Sequence, residues 1–163
     1  PGNFGPYTTC YNRFVRWRRA GVWAKIMSAL AGGHDAAMQM IDTSIVRVHQ
    51  HGACITRNRR QSMGRSRGGL TSKIHAVVDT NGLPVRLALT AGEAHDNRLA
   101  GRLLSRLNSG TMLLADRGYD AFFNKIKHCR RVATRYDKLA ANYLAFVQLA
   151  SIRLWLRVNE SAS

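Results

Sequence analysis

Ser72-Lys73-Ile74-His75-Ala76-Val77-Val78-Asp79, then Thr80-Asn81-Gly82-Leu83, then Pro84-Val85-Arg86-Leu87-Ala88-Leu89-Thr90: this run decides the fold. Two apolar, β-branched segments flank Asn-Gly, the strongest short-range signal for a hairpin. Ser72–Asp79 and Pro84–Thr90 are therefore expected to be antiparallel strands. Upstream, Gln39 to His49 (QMIDTSIVRVH) is a third strand candidate, rich in Ile and Val. Between it and the hairpin, Thr56 to Gly69 is polar, basic and Gly-containing, the composition of a loop. Downstream, Asp96 or Asn97 can cap a helix reaching about Leu107. Thr111–Ala115 (TMLLA) follows as a short buried strand that stops at Asp116. Strand, hairpin, helix, strand is the order of a mixed sheet. It has an antiparallel part, a parallel addition and helices as cover, so the fold class is α/β.

Both ends read as helical. Tyr11, Phe14 and Trp17 recur at helical spacing, Gly21 interrupts, and Trp23, Ile26, Met27 and Leu30 resume the period. Thr8 or Thr9 is the expected cap, and Gly32-Gly33 marks a boundary. The pair reads either as a helix-turn-helix remnant or as two ordinary amphipathic helices. In the last third, Phe122, Phe123, Ile126, Cys129 and Val132 make one apolar stripe. Leu139, Tyr143, Phe146, Leu149 and Leu156 make another. They predict two helices, or one helix bent near Thr134. The divisions expected are 1–33, a small helical amino-terminal segment and candidate DNA-binding remnant; 34–121, the core; and 122–163, a carboxyl-terminal helical segment of that core.

Charge narrows the partner. Lys and Arg number 25 against 9 Asp and Glu, a formal charge of +16 and a pI near 11.2. Such self-repulsion is most simply offset by a polyanion, so nucleic acid is the expected partner. The three cysteines have no paired spacing, which argues for a reducing compartment over a disulfide scaffold. No apolar run is long enough to span a membrane and no signal peptide is visible. A cytoplasmic protein is expected. The first residue is Pro, so a fragment or an incomplete reading frame is the expectation.

Acids are scarce enough that each position asks for a reason. Asp42 lies inside an apolar strand, where Asp is depleted and costly to bury unpaired. Asp116 sits where a strand stops, the end at which α/β proteins place ligands and catalysts. If their strands are neighbours, both carboxylates can enter one site, and such oxygens suit Mg²⁺. Two ions held that way can activate water and steady a leaving 3′ oxygen in phosphodiester cleavage. A salt-bridged strand-end acid and a turn-capping acid are the plainer alternatives. His49, His51 and Cys54 form a zinc half-site without a second half. His95 and Asp96 either cap a helix or support a metal site nearby.

The blocks CYNRFVRWRRAGVW, MIDTSIVRVHQHGA, GRSRGGLTSKIHAVVDTNGLPVRLALTAGEAHD and LLADRGYDA resemble the insertion-sequence-five family of bacterial transposases. The tail FFNKIKHCRRVATRYDKLAANYLAFVQLASIRLWL is similar to the carboxyl end of that family. Together they cover nearly the whole chain in family order. The resemblance implies a DDE enzyme with a ribonuclease-H-like core. It cleaves transposon-end DNA and transfers strands with Mg²⁺ or Mn²⁺. Asp42 and Asp116 are placed as its first two acidic metal ligands. It also implies terminal inverted repeats and target DNA as partners, self-association, and a bacterial, nucleoid-associated setting. Arg65, Arg67, Lys127, Arg130, Arg131 and Arg135 are the candidate phosphate contacts, positioning DNA without reading its sequence.

The sequence also departs from that pattern. In the family, a long segment separates the second Asp from the carboxyl-terminal helix. Here Tyr119-Asp120-Ala121 runs straight into Phe122-Phe123. The missing stretch would hold a strand, a helix, and the Tyr and Arg of the Tyr-Arg-Glu-Lys signature. The family's third acid, a Glu two positions before the Phe-Phe pair, falls on Asp120, with Lys127 at the Glu-to-Lys distance. A truncated, impaired catalytic core is the expectation. A non-catalytic DNA-binding remnant and a decayed reading frame are the alternatives.

Overall fold

The computed structural model describes residues 2–33, 38–53, 61–95, 97–105, 111–114 and 120–161. Six strands make one mixed sheet: β1 (Met38–Val48), β2 (Gly64–Ser66), β3 (Gly69–Asp79), β4 (Pro84–Ala91), β5 (Met112–Leu114) and β6 (Thr134–Arg135). All four strands expected from sequence lie in it. β3 is antiparallel to both β1 and β4, while β5 runs parallel to β1. The ribonuclease-H-like order β4-β3-β1-β5 results.

The hairpin forms where Asn81-Gly82 places it, but with a three-residue loop. Asp79 N donates to Leu83 O at 3.0 Å, and Gly82 N donates to Asp79 O at 2.9 Å. Gly82 adopts φ +71°, and Asn81 stays outside the left-handed region. That is the turn-plus-bulge loop, distinct from the two-residue form that needs both residues left-handed. Buried Asp79 stabilises it by accepting from Asn81 N (3.0 Å) and Leu83 N (2.8 Å) through Oδ1.

Helices cover both faces. On one face Met40, Val46, Ile74, Ala76 and Val78 pack under α4 (Asp120–Lys127), α5 (Arg130–Ala133) and α6 (Ala140–Ser161), through Phe122, Phe123, Ile126, Val132, Tyr143 and Val147. On the other, Val77 and Ile41 meet Leu99 and Leu103 of α3 (Asn97–Leu104). The amino-terminal helices, α1 (Tyr7–Arg19) and α2 (Val22–Ala31), break at Gly21 (φ +69°) as expected. They dock on α6. Phe14 stacks on Phe146 with centroids 4.1 Å apart, and Asn142 Nδ2 donates to Tyr11 Oη at 3.3 Å. Trp17 and Trp23 pack together at 5.1 Å. Trp155 Nε1 donates to Pro84 O at 3.0 Å beneath Met27 and Leu83.

Four details differ from the sequence expectation. Pro6, not Thr8 or Thr9, occupies the first cap of α1; its fixed φ of −60° suits a helix entry. The expected loop before the hairpin contains β2, which pairs with the first residues of β3. At Thr134 the chain does not bend a helix but runs extended as β6 beside Arg47 and Val48. Leu139 and Leu156 are exposed, because α6 turns Tyr143, Val147, Ala150, Ser151 and Trp155 inward instead. No helix among the described residues is long and apolar enough to cross a membrane.

Candidate catalytic face and basic surface

Strand alternation decides what Asp42 faces. It lies opposite Ala76 in the β1–β3 register, two residues from buried Met40 and four from buried Val46. Its side chain therefore belongs to the face on which α4 packs Phe122, Phe123 and Ile126. It is half-buried, and its Oδ1 accepts from Thr43 N at 2.7 Å. β1 holds it rigidly, since the β1–β3 ladder runs unbroken from Gln39 to Arg47.

The parallel partner β5 pairs Met38, Gln39 and Met40 with Met112, Leu113 and Leu114. Asp42 and Asp116 each stand two positions beyond the last of these pairs. Asp116 itself lies outside the described residues, as do Cys54 and Asp96. Asp120 is the first residue of α4, the helix that covers the Asp42 face. Among the described residues no group of three or more His, Cys, Asp or Glu could hold a metal ion.

The six basic candidates separate. Arg65 and Arg67 are exposed on β2 and the turn after it. Arg65 pairs with Leu70, and Leu70, Ser72, Ile74 and Ala76 alternate onto one face, so Arg65 shares the Asp42 face. Along β1 the two are separated by roughly 20 Å at the usual rise per residue. Lys127 is half-buried, its ammonium 5.9 Å from the centre of the Phe123 ring. Arg130 is exposed at the start of α5. Arg131 reaches solvent but is held by Asp137 (3.1 Å) and lies 4.4 Å over the Phe146 ring.

Arg135 departs from the expectation. It is fully buried, with Nε donating to Asp137 O (2.9 Å), Nη1 to Ser72 Oγ (2.7 Å) and Ser62 O (3.3 Å), and Nη2 to Lys138 O (3.2 Å). Its guanidinium also lies 5.3 Å over the Tyr143 ring. A guanidinium engaged this way joins β6 to β3 and is withdrawn from any phosphate. Burial pushes the Tyr143 phenol well above its usual range, the nearby Arg135 charge opposing that rise.

Arg47 takes its place on the surface. It is exposed at the end of β1, and a side chain built on Gly68 would meet its Nη2 at 3.8 Å. Arg47 thus reaches over the turn that carries Arg67. The sequence held a signal for it: in Ile45-Val46-Arg47-Val48 alternation sends the valines to the core face and Arg47 to the other.

A model of the transposase DDE domain matches residues 35–143. The chain belongs to the DDE-domain transposases. The match takes in Asp42, Asp116 and Asp120, while α1 and α2 precede it. A protein of Brucella ovis, named as a transposase for insertion sequence element IS6501, is 32% identical over 130 residues, covering 54% of this chain and all of that relative. Of this chain, 54% is roughly 88 residues, so some 40 positions of that relative face no residue here. Protein y4sN of Sinorhizobium fredii is 37% identical over 70 residues, 43% of this chain and 56% of that relative. No solved structure matches the transposase chain.

Proposed function

We propose that this chain carries the DNA-holding surface and two metal-ligand positions of an insertion-sequence transposase, and that strand transfer by the chain alone is impaired. The observation that carries this reading is the placement of Asp42. It stands mid-strand on the face under α4, at the same offset from the β1–β5 pairing as Asp116. Carboxylates are hard oxygen donors, which fit Mg²⁺ or Mn²⁺. Asp42 and Asp116 would hold the ion, with Asp120 at the third acidic position. When bound, it would lower the pKa of water and stabilise charge on the departing 3′ oxygen.

The chain's own residues do the positioning. Exposed Arg47, Arg65, Arg67 and Arg130 contact phosphates of the transposon end and of target DNA, and β1 fixes Asp42 against the scissile position. First water and then a 3′-hydroxyl attack in line, provided all three acids hold their geometry. That last condition is the weak point. Asp120 follows Asp116 by four positions and is one methylene shorter than Glu. The 40 or so unmatched positions of the Brucella relative support a lost segment. They also favour a second reading, a non-catalytic remnant that occupies transposon ends.

The test is a supercoiled plasmid bearing the cognate ends, supplied with Mn²⁺, alongside Mn²⁺ titration of the protein. Expected are DNA binding, weak Mn²⁺ binding lost in Asp42→Asn and Asp116→Asn, and no strand transfer. Strand transfer that needs Asp42, Asp116 and Asp120 together would overturn impairment. Mn²⁺ binding unchanged in both variants would overturn the ligand assignment.

A further inference from the structure

Beyond the catalytic face, the far end of β1 carries three rings in contact. The His49 ring lies 4.7 Å from His51, tilted at 58°, and 4.7 Å from Tyr136, stacked at 30°. His51 is exposed, while His49 and Tyr136 are half-buried. The cluster is built from two segments distant in sequence. Gln50–Gly52 forms a 3₁₀ turn in which His49 Nδ1 accepts from His51 N at 3.2 Å. That bond holds the His49 ring against the turn.

The turn is pressed onto β6. His49 N donates to Arg135 O at 2.8 Å. A Cβ on Gly52 would meet Arg135 O at 3.0 Å, Val48 Cγ1 at 3.1 Å and the Tyr136 carbonyl carbon at 3.2 Å. Any larger residue would push these neighbours back by a few tenths of an ångström, so glycine suits the close approach. Behind it, Arg135 anchors the backbone before Tyr136 through its four hydrogen bonds. The rings therefore sit on a braced platform, and exposed Arg47 stands two residues from His49. A core role would bury all three rings, yet the outermost is open to solvent.

We infer that the His49–His51–Tyr136 cluster is a stacking site for an unpaired DNA base, such as one at a nicked or frayed end, with Arg47 on the adjoining phosphate. Flat, rigid, partly polar rings at the end of the strand that carries exposed Arg47 suit a nucleobase. Its face stacks on any aromatic, and its edge accepts hydrogen bonds from imidazole. A duplex, with its bases already stacked, offers the site only phosphates. The inference rests on the DNA-binding reading proposed above and adds to it a distinction between paired and unpaired DNA.

The experiment compares a blunt duplex with the same duplex carrying a single-stranded tail that contains 2-aminopurine. Anisotropy gives affinity, and 2-aminopurine emission reports stacking. Expected is tighter binding of the tailed DNA, with quenching. His51→Ala should weaken tailed binding about tenfold with blunt binding unchanged. His51→Phe should restore it, which neither a fold defect nor a lost charge would do. Tyr136→Ala should act in the same direction, and thermal melting checks that it folds. Equal affinity of the wild type for both DNAs overturns the inference while leaving DNA binding intact. So does a His51→Ala variant that still quenches. Binding to neither DNA overturns the DNA-binding reading and this inference with it.

Discussion

The two edges of β1 differ sharply. On one side β3 pairs with it over nine residues, and β3 in turn pairs with β4 around a three-residue loop. Ile74, Ala76, Val77 and Val78 are buried there almost completely. On the other side β5 contributes three pairs and β6 two. Met112 of β5 is 57% exposed and Leu114 40% exposed. The closed side is local in sequence and costs little chain entropy to assemble. The open side is drawn from segments far downstream. The β3–β4 side is therefore the better-packed half of the sheet, and the β5–β6 side the more open one.

The largest expected effect attacks the link between the two sides. Arg135→Met removes a guanidinium that donates to Ser62, Ser72, Asp137 and Lys138, and takes this donor from the buried bond to the Asp137 carbonyl. Urea denaturation should show a loss of about 4 kcal/mol. A loss below about 1 kcal/mol would mean that β6 is not held by this residue.

The contrast between the edges is sharpened by a matched pair. Ile74→Ala should cost about 3 kcal/mol through the cavity it leaves. Leu114→Ala on β5 should cost under about 1 kcal/mol. Equal losses would show that the outer edge is as tightly packed as the inner one.

Tyr143→Phe has a smaller effect with a pH signature. The phenol donates to Val132 O at 2.7 Å, so the variant should lose about 1 kcal/mol at neutral pH. The folded protein holds this proton more tightly than the unfolded chain does. Wild-type stability from this group is thus full below about pH 10 and falls as pH rises further. The gap between variant and wild type should narrow in alkali; a constant gap would refute the buried-phenol account.

Smallest is the effect on DNA. Arg47→Ala and Arg67→Ala should each reduce the slope of log affinity against log salt by about 0.9. Arg131→Ala should change it less, since Asp137 already neutralises that charge. Identical slopes in all three would put the phosphate contacts elsewhere.

What could be read from sequence follows the same division. The β3–β4 hairpin was legible because Asn81-Gly82 and its apolar, β-branched flanks act over a few residues. The mid-strand, half-buried position of Asp42 was legible because QMIDTSIV reads as a strand straight through it. β6 was not, since Thr134-Arg135 is a strand only through the backbone of Arg47 and Val48, far away in the chain. Arg135 was misread as surface because its acceptors are mostly backbone carbonyls, which leave no trace in composition. The inward side of α6 was obscured by Ala150 and Ser151, small residues that a stripe of leucines outshines.

One consequence of the helix docking is spectroscopic. Trp17, Trp23 and Trp155 are the chain's three tryptophans, and they lie in α1, α2 and α6. Trp17 and Trp23 touch each other, and Trp155 sits where α6 meets the hairpin, packed with Leu83 and donating to the Pro84 carbonyl. The sheet is optically silent at the wavelengths that excite indole. Emission recorded during denaturation would thus chart the undocking of the helical layer, and far-ultraviolet dichroism would be needed to see whether the strands part at the same moment.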